Sequence, residues 1–139
     1  MIPSKEEFFN GLAAKHGLEL QKKFAAASVA ICGAGGLGSN IAIALARAGL
    51  GRLKIIDFDK IEITNLNRQQ YFADQIGLFK ALALKENLAK IAPYCEVTAE
   101  TVKITEENVT ELLKGFPIVC EAFDKAEAKA MLVNTVLEN

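Results

Sequence analysis

Apolar positions along the chain follow two patterns, short runs and longer stretches in which they recur every three or four residues. Short continuous or alternating apolar runs indicate strands. The predicted strands cover 28–32, 53–56, 96–103 and 117–123. Helical spacing predicts helices between and after them, over 39–48, 76–91, 106–114 and 125–137. Because strands that alternate with helices form βαβ units, we expect an α/β fold with a mainly parallel sheet and flanking helices.

A helical segment precedes this alternation. Ser4 begins a Ser-Lys-Glu-Glu sequence that is typical of a capping box, so a helix should start there and run to about Lys15. One side of that helix carries three apolar residues, which are Phe8, Phe9 and Leu12. A second short helix is predicted over 18–24. We therefore expect N-terminal helices over 1–27 and one α/β domain over 28–139.

Length and charge limit what the chain can bind. Its 139 residues are 51% hydrophobic and 24% charged, which are the proportions of one soluble globular domain. The net charge of −1 leaves no broad basic surface, so we expect no nucleic-acid partner. Charged residues interrupt every apolar run, and we therefore expect no membrane association.

The cysteines do not form a recognisable site. Cys32, Cys95 and Cys120 are scattered, no C-x-x-C pair occurs, and the single histidine is His16. These spacings do not allow a disulfide framework or a zinc site. We expect three reduced, buried thiols in a cytoplasmic protein.

Four glycines lie between the first predicted strand and the following helix, in the sequence Gly33-Ala-Gly35-Gly36-Leu-Gly38. This is the context of a phosphate-binding loop, in which glycines allow a tight turn, close approach to a phosphate, and packing of the helix on the strand. The start of the helix then offers free N–H groups to an anion. Asp57 ends the second strand about twenty residues later, where an acid can accept hydrogen bonds from ribose hydroxyls. The pattern predicts an adenine nucleotide, and NAD, FAD, S-adenosylmethionine and ATP all fit it.

The polar run after Asp57 narrows that choice. Arg68 has a planar guanidinium that suits phosphate oxygens, and Asn65 and Asn67 add neutral donors or acceptors. Lys80 is a second cation that could reach the same place. Two cations beside a helix start would balance much of the charge of a triphosphate, which favours ATP.

Asp124 follows the last predicted strand. It should therefore lie at the carboxyl edge of the sheet, where ligands of such folds bind. An acid there could hold Mg²⁺ against a phosphate. The same residue could instead be the N-cap of the helix over 125–137, and the residues themselves leave both interpretations open.

Several motifs together resemble the ThiF/MoeB/HesA family, the relatives of ubiquitin-activating enzymes. The resemblance runs from Val29 to about Val133 and includes GAGGLGSN, LKIIDFDKIEITNLNRQ, the QIG segment before Lys80, and VCEAFDKAEAK. NLNRQQYF followed by DQIG looks most like the shorter ThiF-like branch. The resemblance implies a Rossmann-like, doubly wound ATP-binding domain. It also implies adenylylation of the C-terminal carboxylate of a ubiquitin-like sulfur carrier protein, of the thiamine or molybdopterin type.

The resemblance also assigns roles to single residues. It implies that Gly36 contacts the nucleotide, that Asp57 holds the ribose, and that the phosphates are contacted by Asn65, Arg68 and Lys80. Asp124 matches the family's Mg²⁺-associated aspartate. Arg68, Lys80 and Asp124 are thus the candidate catalytic residues. No general base is required, because a carboxylate is already ionised at neutral pH.

Two features depart from the family pattern. Members often carry an N-terminal arginine that reaches a partner subunit, whereas the first arginine here is Arg47 and the nearest earlier candidate is Lys15. The sequence stops at Asn139, where relatives continue with further strands, so we expect a domain that lacks the C-terminal half of the family. A homodimer could cover the sheet edge or apolar face left exposed there.

Other functions fit part of the pattern. A non-catalytic nucleotide-binding or dimerisation module would explain the length of the chain. An NAD- or FAD-binding oxidoreductase domain would explain the glycines and Asp57 but not the Asn/Arg run. Within the same adenylylation chemistry, the target could be a modified tRNA base, against which the lack of surplus positive charge argues weakly.

Overall fold

A computed structural model describes residues 1–138 as a four-stranded parallel sheet with helices on both faces. The strands are β1 (Ser28–Cys32), β2 (Arg52–Ile56), β3 (Glu96–Glu100) and β4 (Ile118–Glu121). The helices are α1 (Lys5–His16), α2 (Leu18–Ala26), α3 (Gly36–Arg47), α4 (Lys80–Ile91), α5 (Val109–Leu112) and α6 (Ala126–Glu138). This arrangement confirms the predicted α/β fold with a mainly parallel sheet.

The strands lie side by side in the order β3-β2-β1-β4. Ile31 in β1 pairs with Ile55 of β2 on one side and with Cys120 of β4 on the other. The chain therefore builds outward from β1 to β3 and then returns to place β4 on the opposite side of β1. The carboxyl ends of β1 and β4 form the switch point, where folds of this kind bind their ligands.

Alternate residues of the strands fill two separate cores. Ile31 and Ile55 are fully buried on the face covered by α3 and α4, together with Leu84 and Leu88. Their neighbours Cys32 and Ile56 point to the other face and pack with Val109 and Leu132 from α5 and α6, as the two-residue period of a strand requires. Helices on both faces make the sheet doubly wound, as the resemblance implied.

The N-terminal helices begin as predicted. The Ser4 hydroxyl accepts from the Glu7 N–H at 3.1 Å and the Glu7 carboxylate accepts from the Ser4 N–H at 3.0 Å, which is a complete capping box. Gly17, with φ of +98°, separates α1 from α2. The second helix reaches Ala26 rather than residue 24, and the Gly51 N–H donates to the Phe24 carbonyl, which attaches α2 to the start of β2.

Several predicted element bounds are wrong. The helix predicted over 76–91 begins at Lys80, because Gly77 has φ of +89° and Phe79 forms an antiparallel bridge with Lys60. The helix predicted over 106–114 is the four-residue α5, since the Asn108 side chain accepts from the Thr105 N–H at 2.8 Å and folds that segment as a turn. Smaller differences include an earlier start of α3, at Gly36, and shorter strands β3 and β4.

The segment between β2 and α4, residues 57–79, is here called the β2–α4 loop, and its two ends are joined by backbone hydrogen bonds. The Ile61 N–H donates to the Leu78 carbonyl at 2.9 Å, and the Gly77 N–H donates to the Ile61 carbonyl at 2.8 Å. The Lys80 N–H donates to the Asp59 carbonyl at 2.9 Å. The loop thus leaves the sheet and returns to it at one place.

Buried amides fasten the far part of the β2–α4 loop to α4. The Gln75 Nε2 atom donates to the Asn87 Oδ1 atom at 2.6 Å, and the Asn87 Nδ2 atom donates to the Gln70 carbonyl at 3.1 Å. Both side chains are buried, and paired amides satisfy each other there. None of the helices within residues 1–138 has the length and apolar character needed to cross a membrane.

Candidate functional site

The four predicted glycines lie together at the carboxyl edge of the sheet. Gly33 has φ of +107°, and a Cβ atom there would lie 2.6 Å from the Ala122 carbonyl oxygen. A Cβ atom on Gly38 would collide with the Gly33 carbonyl. Gly36 begins α3, and Gly35 before it has no side chain to occupy the first N–H groups. Those groups and the positive end of the helix dipole can therefore face an anion.

Asp57 is bound directly to the glycine loop. Its Oδ2 atom accepts from the Ala34 N–H at 2.8 Å, and its Oδ1 atom accepts from the Asp59 N–H at 2.7 Å. Burial raises the pKa of the Asp57 carboxyl above its ordinary value, while the two backbone hydrogen bonds and the nearby Lys80 charge oppose that rise. These two hydrogen bonds hold the carboxylate directly after β2, beside the glycine loop.

Lys80 and Tyr71 flank this carboxylate. Lys80 is the first residue of α4 and is buried, with 7% of its surface exposed, and its charge acts on Asp57. The Tyr71 hydroxyl donates to the Ala34 carbonyl at 2.5 Å. Burial and the neighbouring Asp57 raise the pKa of Tyr71, so the phenol stays protonated as a donor. Sequence reasoning did not identify Tyr71, whose partner lies 37 positions earlier.

Arg68 lies across the start of α3. A Cβ atom on Gly36 would lie 3.5–3.6 Å from the Cγ, Cδ and Nε atoms of Arg68. The guanidinium is exposed, and its Nη1 atom donates to the Asn67 Oδ1 atom at 3.0 Å and to the Thr64 carbonyl at 3.3 Å. The structure therefore brings the predicted cation and the glycine loop together.

The two predicted asparagines use their oxygen atoms within the β2–α4 loop. The Asn65 Oδ1 atom accepts from the Glu62 N–H at 2.8 Å, and the Asn67 Oδ1 atom accepts from Arg68. Their Nδ2 groups have no hydrogen-bond partner within residues 1–138. What each asparagine can offer an anion is therefore its amide N–H₂ group.

Asn40, which sequence reasoning missed, connects α3 to the β2–α4 loop. Its Nδ2 atom donates to the Gly36 carbonyl at 2.6 Å and to the Arg68 carbonyl at 3.0 Å. Its Oδ1 atom accepts from the Gln70 Nε2 atom at 2.8 Å, and the Ser39 hydroxyl accepts from the Gln70 N–H at 3.2 Å. These contacts hold Arg68 beside the glycine loop.

Gln69 is a second residue that sequence reasoning did not single out, although it belongs to the NLNRQ motif. Its side chain is 6% exposed, and its Oε1 atom is the one buried side-chain polar atom within residues 1–138 without a hydrogen-bond partner. The Nε2 atom would lie 3.5 Å from a Cβ atom on Gly35. A buried amide that lacks a partner and faces the glycine loop is poised for a ligand.

Asp124 reaches the same glycine from the other side. Its Oδ2 atom would lie 4.0 Å from a Cβ atom on Gly35, and the side chain is exposed. The carboxylate makes no hydrogen bond or ion pair within residues 1–138, and α6 begins two residues later, at Ala126. Asp124 therefore makes no hydrogen bond that would cap α6.

The turn before Asp124 is fixed by Glu121. The Glu121 carboxylate accepts from the Phe123 N–H at 2.6 Å and from the Lys129 ammonium at 2.9 Å. In the part of the chain that the structure describes, no group of three or more His, Cys, Asp or Glu side chains could hold a metal ion. A metal at Asp124 would therefore need most of its ligands from a bound molecule and water.

The amino-acid sequence is similar to the sequences of known proteins. The sequence model of the ThiF family matches residues 10–139. The chain is 38% identical over 127 residues to the tRNA threonylcarbamoyladenosine dehydratase of Escherichia coli K12, and this match covers 90% of the chain and 47% of that protein. It is 38% identical over 109 residues to a sulfur carrier protein adenylyltransferase of Thermus thermophilus, covering 78% of the chain and 40% of that protein.

A solved structure gives the same match in three dimensions. The crystal structure of the E. coli dehydratase in complex with ATP superimposes with a TM-score of 0.90 at 35% identity. That match covers 100% of the chain and 59% of the solved chain. The chain thus spans less than half the length of both curated relatives.

Proposed function

The chain belongs to the ThiF family, and we propose that it binds ATP with Mg²⁺ at the carboxyl edge of its sheet and adenylylates a carboxylate. One observation carries this proposal: the Arg68 side chain lies across Gly36 at the start of α3, while Asp57 is bonded to the Ala34 N–H. A phosphate-binding cation and a ribose acceptor therefore stand on two sides of one glycine loop.

Each nearby group has a role in binding ATP. Asp57 accepts hydrogen bonds from the ribose hydroxyls, and the N–H groups at the start of α3 face a phosphate. Arg68 and Lys80 bring positive charge, and the Gln69 Oε1 atom, which lacks a partner, accepts a hydrogen bond from a donor group of ATP such as a ribose hydroxyl. The free amide groups of Asn65 and Asn67 add donors on the side of the β2–α4 loop.

The reaction needs positioning and charge stabilisation more than side-chain chemistry. A carboxylate oxygen of the substrate attacks the α-phosphorus of ATP. The bond from that phosphorus to the oxygen bridging the β-phosphate breaks, and pyrophosphate leaves with the electron pair, so that an acyl-adenylate forms. Arg68 and Lys80 stabilise the negative charge that grows on the transferring and leaving phosphates.

Asp124 fits a magnesium ion that is held mainly by phosphates. Its carboxylate lacks a partner within residues 1–138 and stands beside Gly35. Mg²⁺ usually takes one or two carboxylates, substrate phosphates and several waters, which agrees with one acid in place of a closed cage. The ion would neutralise charge on the leaving pyrophosphate.

We propose that the substrate is the C-terminal carboxylate of a ubiquitin-like sulfur carrier protein, of the thiamine or molybdopterin type. The Thermus thermophilus relative, named as a sulfur carrier protein adenylyltransferase, supports this choice. A modified tRNA base is the second candidate, supported by the threonylcarbamoyladenosine dehydratase that matches 90% of the chain. A threonylcarbamoyl group keeps its threonine carboxylate, so the same chemistry would apply.

We also propose a cytoplasmic homodimer. The three cysteines are free thiols, which suits a reducing compartment. β4 is an edge of the described sheet, and Ile118 on it and Leu137 on α6 are 50% and 80% exposed. A second copy would cover an edge and an apolar face of this kind. Sedimentation at several protein concentrations would separate a dimer from a monomer.

ATP–pyrophosphate exchange tests the catalytic proposal. Labelled pyrophosphate should enter ATP when a sulfur carrier with a free C-terminal carboxylate is present, and a carrier amidated at that end should give none. Threonylcarbamoyladenosine-containing tRNA and unmodified tRNA form the matched pair for the second candidate. Binding of Mg-ATP without exchange in any arm would favour a non-catalytic module, and tighter binding of NAD or FAD than of Mg-ATP would favour an oxidoreductase domain.

A further inference from the structure

A cavity of about 480 Å³ lies at the amino edge of the sheet, opposite the nucleotide site. The α1–α2 hairpin forms one side of it, and the starts of β1 and β2 with the segment after α4 form the other. Small-molecule sites commonly measure roughly 300–1,000 Å³. Nothing in the proposed adenylylation uses this space, which lies at the opposite ends of the strands from Gly36.

Most of the lining is apolar. Phe8, Phe9 and Leu12 face the cavity from α1, so the apolar side of α1 that the sequence predicts borders a space instead of a packed core. All three are partly exposed, and no residue of α1 is fully buried. Tyr94 closes one end, with its ring 5.6 Å from that of Phe8 and its hydroxyl donating to the Pro3 carbonyl. Tyr94 thus holds α1 near its first turn, and the cavity lies between the helix and the sheet.

One polar side chain in the lining has an amide group that faces the cavity. Gln21 is 2% exposed, and its Oε1 atom lies 2.7 Å from the His16 Nε2 atom, which must act as the donor to that carbonyl oxygen. The Gln21 Nε2 group has no hydrogen-bond partner within residues 1–138. Solvent reaches the Nε2 atom from the cavity, so a ligand that offers an acceptor can bind it in place of water.

The charges in the lining favour an anion. Lys5 and Arg47 border the cavity, and Glu96 is the acid among the lining residues. Arg52 borders it as well, but its guanidinium is stacked 4.4 Å from the centre of the Phe116 ring. Lys5 and Arg47 thus outnumber the one acid of the lining, and the Gln21 amide adds a hydrogen-bond donor. This combination suits a carboxylate ligand.

We propose that this cavity binds a small molecule made of an apolar body and one carboxylate, such as an arylalkanoic or short fatty acid. The apolar body lies among Phe8, Phe9 and Leu12, and the carboxylate accepts from Gln21 and faces Lys5 or Arg47. The site is separate from the ATP site and does not depend on the adenylylation proposal. Bound ligand would fasten the α1–α2 hairpin to the sheet.

Titration of the ¹⁵N-labelled chain with 4-phenylbutyrate tests the proposal by NMR. We expect saturable shifts at Leu12, Gln21 and Ala25, with none at Gly36. The alcohol 4-phenylbutan-1-ol has the same apolar body without the charge, and we expect it to bind about tenfold more weakly, the effect of one lost charge-assisted contact. Absence of saturable shifts, shifts centred on Gly36, or equal affinity for acid and alcohol would each overturn the proposal.

Two variants with matched controls locate the ligand. Ala25→Phe places a ring into the cavity from an exposed position of α2 and should weaken phenylbutyrate binding at least about tenfold. Ala89→Phe, on the exposed side of α4 and away from the cavity, should leave it unchanged. Lys5→Gln and Arg47→Gln combined should weaken the acid but not the alcohol, whereas Lys23→Gln should affect neither. Unchanged binding in Ala25→Phe, with its fold intact by circular dichroism, would refute the site.

Discussion

The side-chain amide of Asn40 bridges the carbonyl oxygens of Gly36 and Arg68, at 2.6 and 3.0 Å. One end of this bridge is the first residue of α3, and the other is the residue whose guanidinium lies across that helix start. The position of Arg68 relative to the glycine loop is therefore set before a nucleotide arrives. Such preorganisation reduces the ordering that binding would otherwise require.

Replacing Asn40 by alanine should loosen that bridge without unfolding the protein. Asn40 is exposed, so the loss of its hydrogen bonds should lower the free energy of unfolding by only about 1–2 kcal/mol. We expect pyrophosphate exchange to fall several-fold, since Arg68 would no longer be held at the phosphates. Urea denaturation and exchange on the same samples measure both effects. Asn10→Ala, on the exposed side of α1, is the control, and equal exchange in the two variants would exclude a positioning role for Asn40.

Arg68→Ala should separate binding from catalysis. The change removes one charge-assisted contact with phosphate, worth about 1.5–3 kcal/mol. If that contact strengthens as pyrophosphate departs, exchange should fall more than the affinity for Mg-ATP does. Calorimetric titration measures the affinity for Mg-ATP, and the exchange assay measures the rate of pyrophosphate exchange. Arg68→Lys keeps the charge without the planar fork and should lie between alanine and the unmodified chain; equal losses in affinity and exchange would reduce Arg68 to a binding residue.

Asp124→Asn should weaken the dependence of exchange on Mg²⁺. Asparagine keeps the size of the side chain and removes the charge that would hold the ion. The carboxylate makes no hydrogen bond or ion pair within residues 1–138, so the melting temperature should stay nearly constant. Exchange measured across a range of Mg²⁺ concentrations should need more metal for half-maximal rate. Asp74→Asn, an exposed acid of the β2–α4 loop, is the matched control, and an unshifted metal dependence in Asp124→Asn would contradict the proposed role.

The sequence predicted the elements whose signals are local and missed contacts between distant segments. The glycine loop, the end of β2 at Asp57 and the capping box at Ser4 each lie within a few neighbouring residues, and the structure has them where the sequence predicts them. Asn40 and Tyr71 were missed because their partners lie 28 and 37 positions away, and no local pattern marks such pairs.

The wrong start of α4 has a similar cause. The apolar residues at 76–79 continue the helical spacing, but Gly77 has a positive φ and Phe79 bridges back to Lys60. Tertiary pairing at the base of the β2–α4 loop thus overrides the local preference for helix. The roles of Asn65, Asn67 and Lys80 at the phosphates stay predictions, which a complex with nucleotide would test directly.

The raised pKa of Asp57 predicts a specific pH dependence of stability. Burial raises it above 3.8, so the folded chain holds this proton more tightly than the unfolded chain does. Asp57 therefore stabilises the fold most at pH values below 3.8, and this contribution is lost as the pH rises through the folded-state pKa. The free energy of unfolding of the unmodified chain minus that of Asp57→Asn should accordingly decrease from about pH 3 to pH 6. A difference that increases over that range would mean that the Ala34 and Asp59 hydrogen bonds lower the pKa.

The cysteines should not form a thioester or a persulfide during turnover. Burial raises the pKa of Cys32 to about 12 and that of Cys95 to about 11, and it also raises the pKa of Cys120, so little reactive thiolate exists at neutral pH. Intact mass spectrometry after incubation with carrier, ATP and a sulfur donor should show an unmodified chain. All three thiols should react with iodoacetamide in urea, which serves as the positive control; an adduct on half-buried Cys95 would be the first sign against this prediction.

Residues 62–76 of the β2–α4 loop form a cassette whose ends are joined. Because Ile61, Gly77 and Leu78 close its base with backbone hydrogen bonds, exposed residues between them can change in identity while β2 and α4 keep their paths. Arg68 lies inside the cassette, whereas Asp57 and Lys80 lie outside it. Evolution or an engineer could therefore exchange the part that we propose to hold the phosphates while keeping Asp57 and the buried Lys80 on the scaffold.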